Sequence, residues 1–513
     1  MDLSEIIRNT THQYSDKVAV YNENSRATFT ELDRRVNKLS NALVDIGMRP
    51  GDVLAVQLKN CPEYREIYLA CFKAGLVVLP INFRLTAKEI EYIVNLSKPR
   101  IIITEPEYIS TVASLTLDSS CIEKMICIGA TQPPVIDFEQ FIHNSSSEEP
   151  DIRAVEDQLA LLMFTSGTTG RPKGARITRK NISSHLAISA QMFDIYPDTV
   201  YLSIMPMHAS AGFMTDLSFF TAGSAIVSLR DFAIGARNIG QIIKKYEVTD
   251  TFLVPTALNF LINDPTFDIS LFSSLRTVLY TGSHMPAELL KKIMRLFGNI
   301  FVQAYGSTET IVISILTKED HLISNADGIL TKIESAGKPL QETRVRIVDD
   351  NDEEMPAGEI GEIVVKSARV MNGYLGMPEL NTRVLKRGWY HTGDVGYIDR
   401  DGYIFIRDRI DDMIISGGIN IYPREIEEVI FRHPAVLEVA VIGIPDAEWG
   451  EAVKAVVVPK EGADVEANDI VQICKDNLAG YKKPRYVEFV KSLPKTSSGK
   501  IIHKQLADLY RER

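Results

Sequence analysis

Cysteine is scarce in this chain: five in 513 residues, at Cys61, Cys71, Cys121, Cys127 and Cys474. No Cys-x-x-Cys pair and no histidine cluster at zinc spacing accompanies them, which argues against a disulfide framework or a structural zinc site and leaves reduced, packing thiols. Excess positive charge is missing as well. Lys plus Arg number 56 against 67 Asp plus Glu, a formal net charge of −11, so no global field draws the chain toward nucleic acid or anionic lipid. No uninterrupted apolar segment approaches the roughly 18 residues of a membrane helix. The start Met1-Asp2-Leu3-Ser4-Glu5 lacks a basic stretch followed by an apolar run, and the ending Tyr510-Arg511-Glu512-Arg513 carries no Ser-Lys-Leu type of address. These absences set the expectation of a cytoplasmic protein with no nucleic-acid partner and no stable membrane insertion; a homodimer is left open.

What is present is an ordinary globular composition, 45% hydrophobic and 24% charged, over a length that suggests about three domain-sized units. Apolar residues at steps of three and four predict a helix over 29–47, stopped at Gly47. A strand over 53–58, a helix over 62–75 and a strand over 76–80 follow. The same alternation returns at 86–96 and 100–104, and again at 233–246, 251–254, 287–297 and 300–303. Such repetition argues an α/β fold with mostly parallel sheets. From about residue 334 the pattern changes to short strands, 345–348, 362–366, 397–399 and 403–406, separated by Gly, Asp and Pro turns: a β-rich subdomain. A last stretch of about a hundred residues predicts a helix at 423–431 and strands at 436–443 and 452–459, enough for a small α+β domain of its own. The expected division is 1–408 and 409–513.

Chemistry concentrates in Phe164-Thr165-Ser166-Gly167-Thr168-Thr169-Gly170-Arg171-Pro172-Lys173-Gly174, directly after the apolar run 159–163. Glycines let backbone N–H groups approach phosphate oxygens, hydroxyls add donors, and Lys173 adds positive charge. The string is not a Walker loop, because Pro172 precedes the lysine and Gly174 follows it. By composition alone, a flexible surface turn is an equal reading.

The whole string resembles the signature of the adenylate-forming superfamily, which includes acyl-CoA synthetases, peptide-synthetase adenylation domains and beetle luciferases. Four further motifs follow in the family's order: Tyr305-Gly306-Ser307-Thr308-Glu309, Tyr390-His391-Thr392-Gly393-Asp394, Asp408-Arg409-Ile410-Asp411, and Pro494-Lys495-Thr496-Ser497-Ser498-Gly499-Lys500. The resemblance implies that a carboxylate attacks the α-phosphorus of ATP, giving acyl-AMP and pyrophosphate, and that a thiol then displaces AMP. It implies roles for residues. Thr165, Ser166, Gly167, Thr168, Thr169 and Lys173 would hold the outer phosphates, offsetting charge on departing pyrophosphate. Tyr305 would stack on adenine, Thr308 would contact the α-phosphate, and Glu309 would help hold Mg²⁺. Asp394 and Arg409 would hold the ribose, and Gly282, Ser283 and Gly306 would line the nucleotide and acyl sites. Lys500 would bridge the acyl carboxylate and the α-phosphate, bringing two anions together.

The same resemblance implies a mobile C-terminal domain that swings about a hinge at Asp411 between an adenylating and a thioester-forming pose. In the second pose the Gly417-Gly418 turn would border the pantetheine tunnel. Three positions depart from the common pattern: His503 stands where many relatives carry Arg, Asp408 replaces a Gly, and His208 of Pro206-Met207-His208 comes one place early. His208 is therefore read as either a gate of the acyl pocket or a structural histidine. Residues 207–214, with Gly282, Gly306 and Ser307 opposite, are small and apolar, which suits a fatty or aryl acid. The segment Leu478-Ala479-Gly480-Tyr481-Lys482-Lys483-Pro484-Arg485 resembles the CoA-ligase form. The expected function is an AMP-forming carboxylic acid:CoA ligase using ATP, CoA and Mg²⁺. The alternatives are a ligase loading a carrier-protein thiol and a non-catalytic nucleotide-binding relative.

Overall fold

The computed structural model describes residues 2–21, 25–115, 121–129, 132–165, 172–230, 234–324, 330–496 and 499–511. Two α/β sheets form its larger part. One runs, edge to edge, Lys338–Pro339, Ser314–Leu316, Phe301–Tyr305, Thr277–Tyr280, Asp250–Leu253, Val200–Ser203, Ala225–Ser228, Val18–Tyr21, Arg26–Thr28. Its middle strands are parallel and its outer pairs antiparallel. The other runs Ile136–Asp137, Lys124–Cys127, Ile101–Thr104, Val53–Gln57, Val77–Pro80, Leu159–Thr165, Lys173–Thr178. Only its last pair is antiparallel. Ile101–Thr104 is buried at every position, as a parallel strand covered by helices on both faces must be.

Local sequence explains the helices between these strands. In Phe29–Asp45, Thr28 accepts from the Glu31 N–H while the Glu31 carboxylate accepts from the Thr28 N–H, a reciprocal cap at the N-terminus. Phe29, Leu32, Val36, Leu39 and Leu43 then bury one face. The helix Pro62–Lys73 is tied to the helix Ser210–Thr221 by charge: Arg65 donates to Asp216 at 2.9 and 2.6 Å, both side chains fully buried. The Tyr68 hydroxyl donates to the same carboxylate at 2.5 Å. Buried ions need such paired geometry, and the bidentate fork supplies it. At the chain's start, Arg179 donates to both Asp2 carboxylate oxygens at 2.9 Å, pinning the helix Leu3–Gln13.

The β-rich subdomain is an antiparallel sheet of Arg344–Val348, Gly361–Lys366, Trp389–Ile398 and Leu385–Lys386, with Ile404–Arg409 on Trp389–Ile398. The strand expected at 397–399 is the end of the ten-residue strand Trp389–Ile398. The run His391-Thr392-Gly393-Asp394 within it hides the alternation that marks a strand. The helix expected over 233–246 is described as Ala236–Tyr246.

After Arg409 a 3₁₀ turn, Ile410–Asp412, leads into a sheet of Ile419–Ile421, Ile414–Ser416, Gly450–Pro459, Val436–Asp446 and Tyr486–Phe489. The helices Pro423–Phe431, Ala467–Asn477 and His503–Arg511 accompany it. Ile414, Ile426, Val439, Val441 and Val457 pack in a core separate from the large one.

Candidate active site

Two cavities meet at the carboxyl ends of the parallel strands, where open α/β sheets place ligands. The first, about 550 Å³, is walled by Met163, Phe193, Met214, Phe252, Leu279 and Val312, with His208 in its wall and Thr165, Thr308 and Lys500 also lining it. The second, about 370 Å³, is lined by Ser283, Tyr305, Asp394 and Arg409. Thr281, Gly282, Gly306, Ser307 and Lys500 line both. An apolar chamber thus opens onto a polar one, and a lysine stands at the junction.

Strands hold Tyr305, Asp394 and Arg409. Tyr305 closes the strand Phe301–Tyr305, and its hydroxyl donates to Asp394 Oδ2 at 2.6 Å. Asp394 Oδ1 lies 3.5 Å from Arg409 Nη1, because the two residues face one another across paired strands. Burial pushes the Asp394 carboxyl above its ordinary value, opposed by the Arg409 charge and the Tyr305 hydroxyl. The buried Glu309 carboxylate accepts from the Tyr374 hydroxyl at 2.8 Å, and the ammonium of Lys173 stands 5.8 Å from the centre of the same Tyr374 ring. Thr165 and Lys173 are register partners at the ends of their antiparallel strands. Ser166, Gly167, Thr168 and Thr169 lie outside the described residues.

Lys500 reaches the site from the C-terminal part. Thr256 donates to the Gly499 carbonyl at 2.9 Å, and a Cβ on Gly282 would stand 3.1 Å from Lys500 Cε. Gly282 has φ +95°, so the lysine stem crosses a backbone position that excludes side chains twice over. Lys500 stays open to solvent through the cleft. Desolvation by the surrounding protein and then the Arg409 charge lower its ammonium pKa, with Asp394 and Glu309 opposing. Gly306 also has no room for a side chain, since a Cβ there would meet the Ile311 carbonyl oxygen at 2.1 Å. Ile311 itself has φ +59°. A β-branched residue in that region is strained by about 1–3 kcal/mol, and this one lines the apolar cavity.

His208 is buried in that cavity's wall, its ring edge-on to Phe83 at 5.2 Å. Burial, then the Arg84 charge, push its pKa down to about 3, so it is a neutral imidazole at physiological pH. Of the expected site residues, Thr165, His208, Gly282, Ser283, Tyr305, Gly306, Ser307, Thr308, Asp394, Arg409 and Lys500 line the two cavities. Glu309 and Lys173 line neither cavity; they follow Thr308 and Pro172, which line the first, and they meet one another at Tyr374. Gly417 and Gly418 do not line either cavity; they form an exposed turn beyond the strand Ile414–Ser416. Asp411 sits exposed in the 3₁₀ turn.

Several participants escaped the sequence reading. Tyr374 is 65 residues from the Glu309 it holds, and His284 meets Glu428 at 2.6 Å across 144 residues. His503, which the sequence marks only as a departure, meets Glu427 at 2.8 Å. The Glu427 carboxylate, and then Asp412 and Asp408, raise the His503 pKa to about 9 despite burial.

The site fits a nucleotide. Ser283 Oγ is buried with no hydrogen-bond partner among the described residues and belongs to a residue lining the polar cavity, which marks a hydroxyl available to a polar ligand. Glu309 offers the single hard carboxylate that Mg²⁺ uses beside phosphate oxygens. No cluster of three or more His, Cys, Asp or Glu able to hold a metal by themselves exists among the described residues, so any such ion would share its ligands with the nucleotide.

Comparisons with known proteins agree with this arrangement. The chain is 38% identical over 485 residues to a feruloyl-CoA synthase of Amycolatopsis sp, covering 94% of each chain. It is 33% identical over 502 residues to the fatty acid–[acyl-carrier-protein] ligase ScoC of Streptomyces coeruleorubidus, covering 96% of this chain and 93% of that one. Among solved structures, ATP-bound MatB from Rhodopseudomonas palustris matches with a TM-score of 0.90 at 27% identity, covering 100% of this chain and 99% of that one. Its apo form matches at 0.78 and 28%, with the same coverage. No helix among the described residues is long and apolar enough to cross a membrane. The family description "AMP-binding enzyme" matches residues 7–375 and "AMP-binding enzyme C-terminal domain" matches residues 425–500: the chain belongs to the AMP-binding enzyme family.

Proposed function

We propose that this protein is an AMP-forming carboxylic acid:CoA ligase, acting in the cytoplasm on a fatty or aryl acid. The observation that carries the reading is the convergence of four separated motifs on two adjoining cavities: Thr308 on the apolar one, Asp394 and Arg409 on the polar one, and Lys500 on both. Curated relatives add weight, since feruloyl-CoA synthase and an indoleacetate–CoA ligase of Aromatoleum aromaticum both carry aryl acids in their names. The wall of Met163, Phe193, Met214, Phe252, Leu279 and Val312 supports an acid with an apolar body, although Arg84 and Glu89 stand in the same lining.

In the first step the nucleoside occupies the polar cavity, with Tyr305 against adenine and Asp394 and Arg409 on the ribose, and the triphosphate extends past Thr308 toward Thr165 and Lys173. The acid enters the apolar cavity with its carboxylate toward Lys500. A carboxylate oxygen attacks the α-phosphorus, and the bond to pyrophosphate breaks as the new phosphorus–oxygen bond forms. Lys500 and Thr308 stabilise the charge that gathers on the α-phosphate, while Lys500 also holds the two anions at reacting distance. Glu309 would hold Mg²⁺ with the phosphate oxygens, and that ion supplies further positive charge on the triphosphate. In the second step a thiol loses its proton to solvent, its sulfur attacks the acyl carbon, and the carbon–oxygen bond to AMP breaks.

The two steps are served by rotation of the residues beyond Asp411, which brings the Gly417–Gly418 turn to the site. The pose described here supports the first step, as Lys500 lies in the cleft and the match to ATP-bound MatB exceeds that to its apo form. The test is pyrophosphate release from ATP and Mg²⁺ across benzoate, ferulate, indoleacetate, octanoate and palmitate, each with and without CoA. The expected result is release that CoA accelerates, with acyl-CoA formed in equal amount. Acid-dependent release with transfer only to a carrier-protein thiol would replace CoA as acceptor, the activity named for ScoC. No release with any acid would refute the ligase reading.

A further inference from the structure

The helix Ala287–Phe297 begins against the polar cavity, directly after the segment that carries Gly282 and Ser283. Its N-cap position is Pro286, whose side chain makes no capping hydrogen bond. A helix start leaves backbone N–H groups without intrahelical partners and carries partial positive charge. Here the Ala287 N–H donates to Glu428 Oε1 at 2.8 Å. Glu428 lies on Pro423–Phe431, within the C-terminal part. The cap of a helix in the larger part thus comes from the smaller one.

The second oxygen of the same carboxylate is occupied as well. His284 Nε2 stands 2.6 Å from Glu428 Oε2. Burial, and then the Arg424 charge, lower the His284 pKa, so a neutral imidazole donates its Nε2–H to the carboxylate. Both bonds are charge-assisted and partly shielded from water, conditions under which they are about twice as strong as neutral ones. Both bridge residues on opposite sides of the hinge region at 409–412. Two weaker bridges accompany them: Asn259 donates to the Leu437 carbonyl at 2.8 Å, and Thr256 to the Gly499 carbonyl at 2.9 Å.

Resting on the ligase reading above, we infer that Glu428 is a positioning residue: with His284 and the start of Ala287–Phe297 it forms a latch that selects the adenylating pose. It touches neither acid nor phosphate. Its carboxylate is satisfied by the larger part only while Lys500 is in the cleft, so rotation of the residues beyond Asp411 must break both bonds and leave the helix start to water. The latch therefore favours the first half-reaction and opposes departure toward the second. A simple structural role would lower both halves together through misfolding; a latch separates them.

The experiment compares the intact wild-type chain with Glu428→Ala, His284→Ala and the double variant. The acid is whichever of benzoate, ferulate, indoleacetate and octanoate gives the fastest acid-dependent ATP–pyrophosphate exchange. Exchange without CoA reads the adenylating pose, and acyl-CoA formation from supplied acyl-AMP and CoA reads the other. The expected result is a fall of about 10-fold in exchange for Glu428→Ala, a smaller fall for His284→Ala, and a double variant no worse than Glu428→Ala. Thioester formation from acyl-AMP should be unchanged or faster in all three. Equal losses in both halves, additive losses in the double variant, or exchange within twofold of wild type would overturn the latch. Absence of exchange by the wild-type chain with every acid would instead overturn the ligase reading, and the latch with it.

Discussion

Replacing Lys500 by Met separates charge from shape. Methionine keeps a stem long enough to lie along Gly282, where Lys500 Cε now packs, and removes only the ammonium. Two unit charges about 4 Å apart attract by about 1 kcal/mol in water and by about 4 kcal/mol at the effective dielectric of a protein cleft. Lys500 is partly desolvated, so the larger figure applies to its pull on the α-phosphate and carboxylate. Arg409, a second cation of the same cleft, retains part of that field when the lysine is lost. The expected loss in acyl-AMP formation is therefore about 10²- to 10³-fold, the range seen when one preorganised donor is removed from a charged transition state. The assay is single-turnover formation of acyl-AMP, set beside thioester formation from supplied acyl-AMP, which should stay within about twofold. A loss below tenfold in adenylation, or equal loss in both half-reactions, would refute the placement of this charge at the reacting centre.

Asp216→Ala leaves the fully buried Arg65 guanidinium without its carboxylate, which should destabilise the larger part by about 3–5 kcal/mol; urea unfolding midpoints at constant slope check it. Tyr305→Phe removes the hydroxyl that donates to Asp394. It should raise the KM for ATP several-fold while the KM for the acid stays unchanged, by steady-state kinetics in each substrate. The pH dependence follows from His503, whose folded pKa of about 9 lies above its unfolded value near 6.5. Such a group contributes stability that is fully present below pH 6.5 and is lost as pH rises through 9. Asp408, raised to about 6 by burial, loses its contribution in the same direction at lower pH. Thermal midpoints of wild type should fall toward those of His503→Gln between pH 6.5 and 9.5, closing a gap on the order of 3 kcal/mol; a gap that widens with pH would refute the His503–Glu427 pairing.

Short motifs with fixed spacing carried much of the site. Tyr305, Thr308 and Glu309 sit within five residues at one strand end, and their chemistry is readable because so few types of loop place an aromatic, a hydroxyl and a carboxylate together. Alternation of apolar runs carried the two α/β sheets for the same reason: Ile101–Thr104 and Val77–Pro80 are apolar on both faces. What the sequence hides is pairing across distance. Nothing local tells that Tyr374 will meet Glu309, or that Glu428 will cap a helix 141 residues earlier. The strand Trp389–Ile398 is hidden differently. His391 and Thr392 are buried against Glu362 and the Ile363 carbonyl, so polar residues there occupy inward positions that apolar ones usually mark. The left-handed backbone at Ile311 contradicts its side-chain type, and the Ile311 carbonyl packs against Gly306 too closely for a side chain there.

The pairing of Val18–Tyr21 with Ala225–Ser228, in register at Val20 and Ile226, sets the order in which this molecule can assemble as it leaves the ribosome. Arg26–Thr28 pairs with one edge of the earlier strand at once, but the other edge has no partner until some two hundred more residues have been added. At synthesis rates of about 5–20 residues per second, its edge waits for about 10–40 s. The helix Leu3–Gln13 waits nearly as long for Arg179, which holds Asp2. The seven-stranded sheet draws its strands from residues 53–178, so it completes earlier and offers a template on which the unfinished sheet can close. The N-terminal segment is thus made early and locked late, and a slower stretch of translation between residues 21 and 225 would lengthen the period in which that open edge is exposed to other chains.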